Sequence, residues 1–205
     1  MLARIISGLV IVLGLSGFVK LNSTLFDYTY YLEENSKLYI EGTSNVNSFD
    51  CSCKDNFPKR GIKVAFSDDF KTIRFTNSFF KIRTQSLDCN NSRMNRDLCE
   101  ALKSSEYPDI KIELKEAKLV STTPGSDGWL SIKVNATMTI TNVTKDVVLD
   151  VKGKKNSDDR FRFVCSKEIL LTDYNIEPPT ALLGLVKVRN NIKINFDLFT
   201  VAEQL

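Results

Sequence analysis

Between residues 127 and 151 the chain reads DGWLSIKVNATMTITNVTKDVVLDV, and apolar side chains recur there at every second position. Leu130, Ile132, Val134, Ala136, Met138 and Ile140 alternate with Trp129, Ser131, Lys133, Asn135, Thr137 and Thr139. After Asn142-Val143-Thr144-Lys145 the alternation resumes, with Val147, Leu149 and Val151 against Val148, Asp150 and Lys152. Successive side chains of a strand point to opposite faces, so a period of two sorts these residues into one dry face and one wet face. Two such strands joined by a short polar turn make an antiparallel hairpin that must bury its dry face against something else.

The same alternation runs through the rest of the chain. Leu38 and Ile40, then Ile62, Val64 and Phe66, then Ile73 and Phe75, then Phe80 and Ile82 each alternate with polar or exposed-type neighbours. Ile110, Ile112 and Leu114, then Phe161, Phe163 and Cys165, then Ile192, Ile194, Phe196 and Leu198 follow the same rule. One stretch, residues 91–105, switches to a helical period, with Met94, Leu98, Ala101 and Leu102 three or four apart. Asn91 or Ser92 can cap that helix, and Pro108 prevents its continuation. Strands in this number, without alternating helices, predict an all-β fold: an antiparallel β-barrel of about eight strands with one short α-helix, favoured over a sandwich. Residues 173–184 are irregular and contain Pro178-Pro179, running into Ala181-Leu182-Leu183-Gly184-Leu185. An apolar loop of this length either plugs one end of the core or forms a rim or lid for a bound apolar molecule.

Residues 1–23 stand apart from this pattern. Arg4 precedes an apolar run over 5–19, and Lys20-Leu21-Asn22-Ser23 forms a polar exit, the layout of a secretory signal peptide or, if uncleaved, an N-terminal anchor. The run is shorter than the roughly 20 residues of a spanning helix. Residues 24–205 then form one domain, and an exported, periplasmic location follows, with transient membrane contact open to it. In that oxidising setting Cys51, Cys53, Cys89, Cys99 and Cys165 predict two disulfides and one odd thiol, with the pairing undetermined.

Charge and composition narrow the chemistry. The net charge of +3 is small and its cations are dispersed, which argues against nucleic acid as a partner. The chain has no histidine, so the commonest general base and metal ligand is missing, and neither a metal site nor a cofactor is expected. Asp68-Asp69 and Asp158-Asp159 offer paired carboxylates, but sequence neighbours on a strand face opposite ways and both pairs read as turn residues. No catalytic residue is assigned.

Four segments carry a resemblance. MNRDLCEALKSSEYPDIKIEL (94–114) resembles the arginine, helix, Tyr-Pro and strand pattern of the YceI-like family, and MTITNVTKDVVLDV (138–151) resembles its strand, turn and strand. YNIEPPTALLGLVKVRNNIKINFDL (174–198) is similar to the Pro-rich segment and last strand of Bacteroidetes-type members, and KLYIEGTSNVNSFDC (37–51) is similar to the opening strand. Asn142 and Asp146 stand where that turn commonly has Gly and Pro, and the helix lacks the histidine that members often carry. The resemblance implies a lipocalin-like barrel whose interior holds a long apolar chain, an isoprenoid or other lipid.

On that reading the ligand-binding wall is Phe66, Phe75, Phe80, Ile82, Ile112, Leu114, Ile132, Val134, Met138, Phe163, Ile194 and Phe196, with Leu182 and Leu183 at the rim. Arg93 and Arg96, near the helix start, are the candidate partners of an anionic head group, because guanidinium matches phosphate geometry. The alternative is an envelope interaction protein whose barrel is solid and holds no small molecule. Periodicity does not distinguish a full interior from a hollow one.

Overall fold

The computed structural model describes residues 25–181 and 183–205; the signal or anchor segment 1–23 lies outside the described residues. In chain order the elements are β1 (Leu25–Leu32), β2 (Lys37–Ser44), β3 (Ser48–Cys53), β4 (Arg60–Phe66), β5 (Thr72–Thr76), β6 (Phe79–Arg83) and β7 (Leu87–Asp88). After these come α1 (Ser92–Ala101), β8 (Asp109–Leu119), β9 (Leu130–Ile140), β10 (Val143–Lys155), β11 (Arg160–Leu170), β12 (Thr180–Ala181) and β13 (Val186–Gln204). The predicted hairpin is β9 and β10, paired in unbroken register from Ile140 opposite Val143 to Leu130 opposite Gly153.

Several segments are pieces of longer strands. β1 pairs with residues 200–204 of β13 and β2 with residues 188–197, so the two follow each other along one edge of β13. β3 and β4 run back along β2 and β1, and β5 and β6 lie end to end along β8. Joined this way, the segments give a ring of eight antiparallel strands, β1-β4-β5-β8-β9-β10-β11-β13, closed by the β1–β13 pairing. Each interruption has a local cause. Pro58 lies in the gap between β3 and β4 and has no N–H for a ladder, and Asn77, between β5 and β6, takes a left-handed φ of 58° that kinks the strand.

The inward faces carry the alternating residues. Ile82, Ile112, Val134, Ala136, Met138, Leu149, Cys165 and Phe196 are buried in one contiguous cluster. Met138 is fully inaccessible, so the middle of the barrel is filled by side chains. Gly153 is part of that fit: a Cβ there would come within 2.9 Å of Ile132 Cδ1 and 3.2 Å of the Phe163 ring.

The helix is where its period placed it. The Asn91 side chain accepts hydrogen bonds from the Arg93 and Met94 amides, and the end turns through Lys103 at φ 50°. After β11 the chain makes a short 3₁₀ turn, Leu171–Tyr174, and sends Tyr174 and Ile176 into the core. Thr141 Oγ1 donates to the Tyr174 carbonyl at 2.8 Å, fixing this plug against the β9–β10 turn.

Truncating Met138 to alanine leaves a cavity that the closed ring cannot collapse around. Urea unfolding of Met138→Ala should show a loss of about 2–5 kcal/mol with little change in the denaturant slope.

Candidate functional site

One end of the barrel is not filled. Between α1, the inner faces of β2 and β3, and the chain after β11 lies an apolar cleft of about 250 Å³. Its floor is Ile40, Phe49, Leu87, Ile110, Ile140, Ile192 and Ile194; Met94, Leu98 and Ala101 of α1 with Leu102 at its C-cap form one wall, and Leu171, Ile176, Pro179, Val186 and Val188 the other. Sequence dictates each side: i, i+2 spacing directs Ile40 and Val188 inward from their strands, and the i, i+4 pair Met94 and Leu98 lies on one helix face. Gly42 leaves room for the Phe49 ring, whose Cζ would stand 2.3 Å from a Cβ at that position.

Six polar residues also line the cleft, Ser44, Asn47, Asn91, Arg93, Asp97 and Thr180, and the exposed ones, Asn47, Asn91, Arg93 and Thr180, mark its mouth. Ser44 and Asn47 bond each other at 2.9 Å, and Asn91 is committed to capping the helix. Arg93 is exposed and makes no ion pair among the described residues, which leaves its guanidinium available to an acidic group at the opening.

The Cys51–Cys89 disulfide is part of the cleft wall. It ties β3 to the segment that enters α1, continuing the β3–β7 register by one step beyond Ser52 opposite Asp88. The expected second bridge is not formed: Cys53, Cys99 and Cys165 are free thiols on three separate elements, β3, α1 and β11. Burial pushes the Cys165 thiol up to about 11, with the Asp150 charge adding to the rise and Lys167 opposing it. Such a thiol stays protonated and behaves as a small apolar side chain.

A second opening of similar volume, about 250 Å³, lies in the barrel wall where residues 54–59 leave the ladder. Phe57 stacks on Phe80 there at 4.3 Å. Of its charged groups, Asp55 pairs with Arg83 and Asp109 with Lys81, while the Arg60 guanidinium lies over the Phe79 ring at 5.3 Å. Burial pushes the Asp55 carboxyl up, but donors from the Arg83 side chain and backbone outweigh this and hold it below the usual range.

The sequence-predicted wall is divided by the fold. Ile194 lines the cleft, while Ile82, Ile112, Val134, Met138 and Phe196 lie in the packed middle, with Leu114 and Ile132 against them. Phe80 faces the second opening; Phe66 packs edge-on against Phe26 at 5.7 Å, and Phe75 and Phe163 are half-buried. Arg93 reaches the mouth, whereas Arg96 is exposed and outside the lining. Leu183 projects into solvent, and Leu182 lies outside the described residues. Sequence reasoning passed over Phe49, Leu87, Leu98 and Val188; the periodicity of Leu98 was visible, but periodicity marks a buried face without saying what the face meets.

A profile of the YceI-like domain matches residues 33–199. The chain belongs to the YceI-like family. Solved structures agree in fold. A Saccharophagus degradans polyisoprenoid binding domain, implicated in plant cell wall breakdown, superposes with a TM-score of 0.59 at 14% identity, over 86% of this chain and 99% of that one. BcnA of Burkholderia cenocepacia superposes with a TM-score of 0.56 at 17% identity, over 80% of this chain and 95% of that one. A search of curated proteins finds no match. The eight-stranded ring is thus the lipocalin-like barrel of YceI-like proteins, and in this member the helix end of the barrel carries the cleft.

Two outcomes follow from the cysteines. The Cys51–Cys89 bridge spans 38 residues of chain, so reduction, or replacement of both cysteines by serine, should lower unfolding stability by about 4 kcal/mol in denaturant titrations. The Cys165 thiol ionises above its ordinary 9.0, so the unfolded chain loses that proton first and stability falls as pH rises from about 9 toward 11. The slope over that window should be shallower in Cys165→Ala than in the wild type.

Proposed function

We propose that this YceI-like protein is an exported carrier that holds a long apolar chain, isoprenoid or acyl, with the chain end in the cleft and the head group at Arg93. The observation that carries this reading is the cleft's lining: apolar side chains from α1, β2, β3, β13 and the chain after β11 make up most of it, with Arg93 among a few polar groups. Binding sites for apolar ligands share this layout of apolar lining and few polar anchors. The polyisoprenoid binding of the Saccharophagus degradans domain, which has the same fold, supports the ligand class. The disulfide and the signal-like segment 1–23 support a periplasmic, oxidising setting.

Size limits what the cleft takes. An apolar cavity of about 150 Å³ accommodates one benzene, so about 250 Å³ corresponds to about ten carbon atoms, two isoprene units or an acyl segment. At about 0.8 kcal/mol per buried methylene the gross gain is about 8 kcal/mol, before the cost of ordering the chain. A longer chain leaves its remainder at the mouth or displaces side chains of the floor. The packed middle of the barrel favours a second reading, a solid-cored envelope interaction protein. Neither reading assigns a catalytic residue or a cofactor; Asp68-Asp69 and Asp158-Asp159 lie in turns and bends.

Native mass spectrometry of protein purified from its own host without delipidation tests the choice. A discrete added mass that disappears on denaturation is expected. Val188→Trp, which fills the cleft, should reduce uptake of a prenyl or acyl probe at least tenfold. Arg93→Ala should weaken chains with an anionic head about tenfold and leave neutral ones unchanged. A bare protein mass, with no uptake of offered chains, would move the assignment to the solid-cored reading.

A further inference from the structure

We infer that the apolar tip beside the cleft mouth docks the protein on an anionic phospholipid bilayer, the medium in which the proposed cargo dissolves. The tip has two parts. The loop between β12 and β13 leaves Leu183 fully exposed and Leu185 75% exposed, and the β2–β3 turn leaves Val46 65% exposed. The turn is bonded to the loop rather than merely near it. Asn45 Nδ2 donates to the Leu185 carbonyl at 2.9 Å, and Asn45 Oδ1 accepts from the Lys187 amide at 2.8 Å. The Asn45 amide donates to the Lys187 carbonyl at 3.1 Å. Three hydrogen bonds therefore tie the turn that exposes Val46 to the loop that exposes Leu185 and, two residues before it, Leu183; exposed apolar side chains brought together in this way mark an interaction surface.

Charge and position choose the partner. Lys187 and Arg189 are exposed on β13 immediately after the loop and make no ion pair among the described residues; Arg93 stands at the mouth. Lys187, Arg189 and Arg93 outnumber Glu177, on the approach to the loop, and Asp97, among the cleft lining. Apolar side chains flanked by cations are what an interfacial docking site on anionic lipid requires. Val186 and Thr180, which bracket the loop, line the cleft, so a tip seated in the bilayer brings the mouth to the level of the acyl chains. The tip is also remote from the start of the barrel: Ser44 pairs with Val188 at one end of β13, and Tyr28 with Gln204 at the other. As a route for cargo the inference rests on the carrier reading; as a membrane contact it does not.

The test uses the full chain with a local reporter. Leu185→Trp and Val46→Trp, each with Trp129→Phe, are mixed with vesicles of equal parts phosphatidylglycerol and phosphatidylcholine. The expected result is a blue shift of tip emission, quenching by bromine-labelled acyl chains, and a several-fold loss of the signal at high salt. Val46→Asp with Leu185→Asp should lower vesicle partitioning at least tenfold while uptake of a water-soluble prenyl probe is unchanged. Tip emission that vesicles leave unchanged would overturn the inference, even if the probe still binds. A shift that grows with protein concentration without lipid would overturn it as well, by showing that a second copy covers the tip. Docking without probe uptake would leave this inference standing and remove the carrier reading.

Discussion

The shared edge of β13 holds the architecture together. One edge of that strand pairs with β11 over residues 191–201, and the other pairs first with β2 and then with β1. The second set of ladders closes the ring, and closure leaves no free edge in the circuit for another chain to add to. It also fixes which face of every strand is inside, because a slip of one residue at the seam would turn the Ile192, Ile194, Phe196 set outward. Everything that follows, including the position of the cleft, depends on that register.

Closure also explains why the two ends of the barrel differ. Toward residues 200–204 of β13 the ring is completed by β1 and β4, with strands on every side. Toward residues 188–197, β2 and β3 complete it, but β7 is only two residues long and the chain departs into α1. A helix cannot continue a sheet ladder, so it crosses the opening and presents Met94, Leu98, Ala101 and Leu102 to the strand faces. A ten-residue helix is too short and too narrow to fill that opening, and the remainder is the cleft. The Cys51–Cys89 bridge then holds the helix entry close to β3.

Strand number, antiparallel order, the helix and the central hairpin were legible because each is a local periodicity. Met138 and Val134 were legible as inward-facing for the same reason. Their role was not: a period of two gives Met138, in the packed middle, and Ile194, in the cleft floor, the same signal. What separates them is the distance from each residue to the open end, which depends on how eight strands are staggered. The disulfide was illegible for a related reason. Cys51 and Cys89 become neighbours only through the β3–β7 ladder, two residue pairs long and with no pattern of its own. Arg93 and Arg96 show the limit on a helix: three residues apart, one reaches the mouth and the other faces solvent.

The irregular segment after β11 first packs into the core, as a plug would, and then runs along the cleft. Tyr174 and Ile176 enter the core and are fixed by the Thr141 hydroxyl, which stops the end of the barrel beside the β9–β10 turn. Pro179, Thr180 and Val186 then stay at the cleft wall: Pro178-Pro179 offer no N–H to a ladder, the Pro179 carbonyl accepts from the Val188 amide at 3.0 Å, and the β12–β13 pairing starts at Thr180 opposite Lys187. A chain that first seals one part of an opening and then borders the rest must turn back on itself, and the turn carries Leu183 and Gly184 at positive φ. The exposed apolar tip is the outermost point of that return. The geometry that leaves a cleft at the end of the barrel is the same geometry that sets leucines beside its mouth.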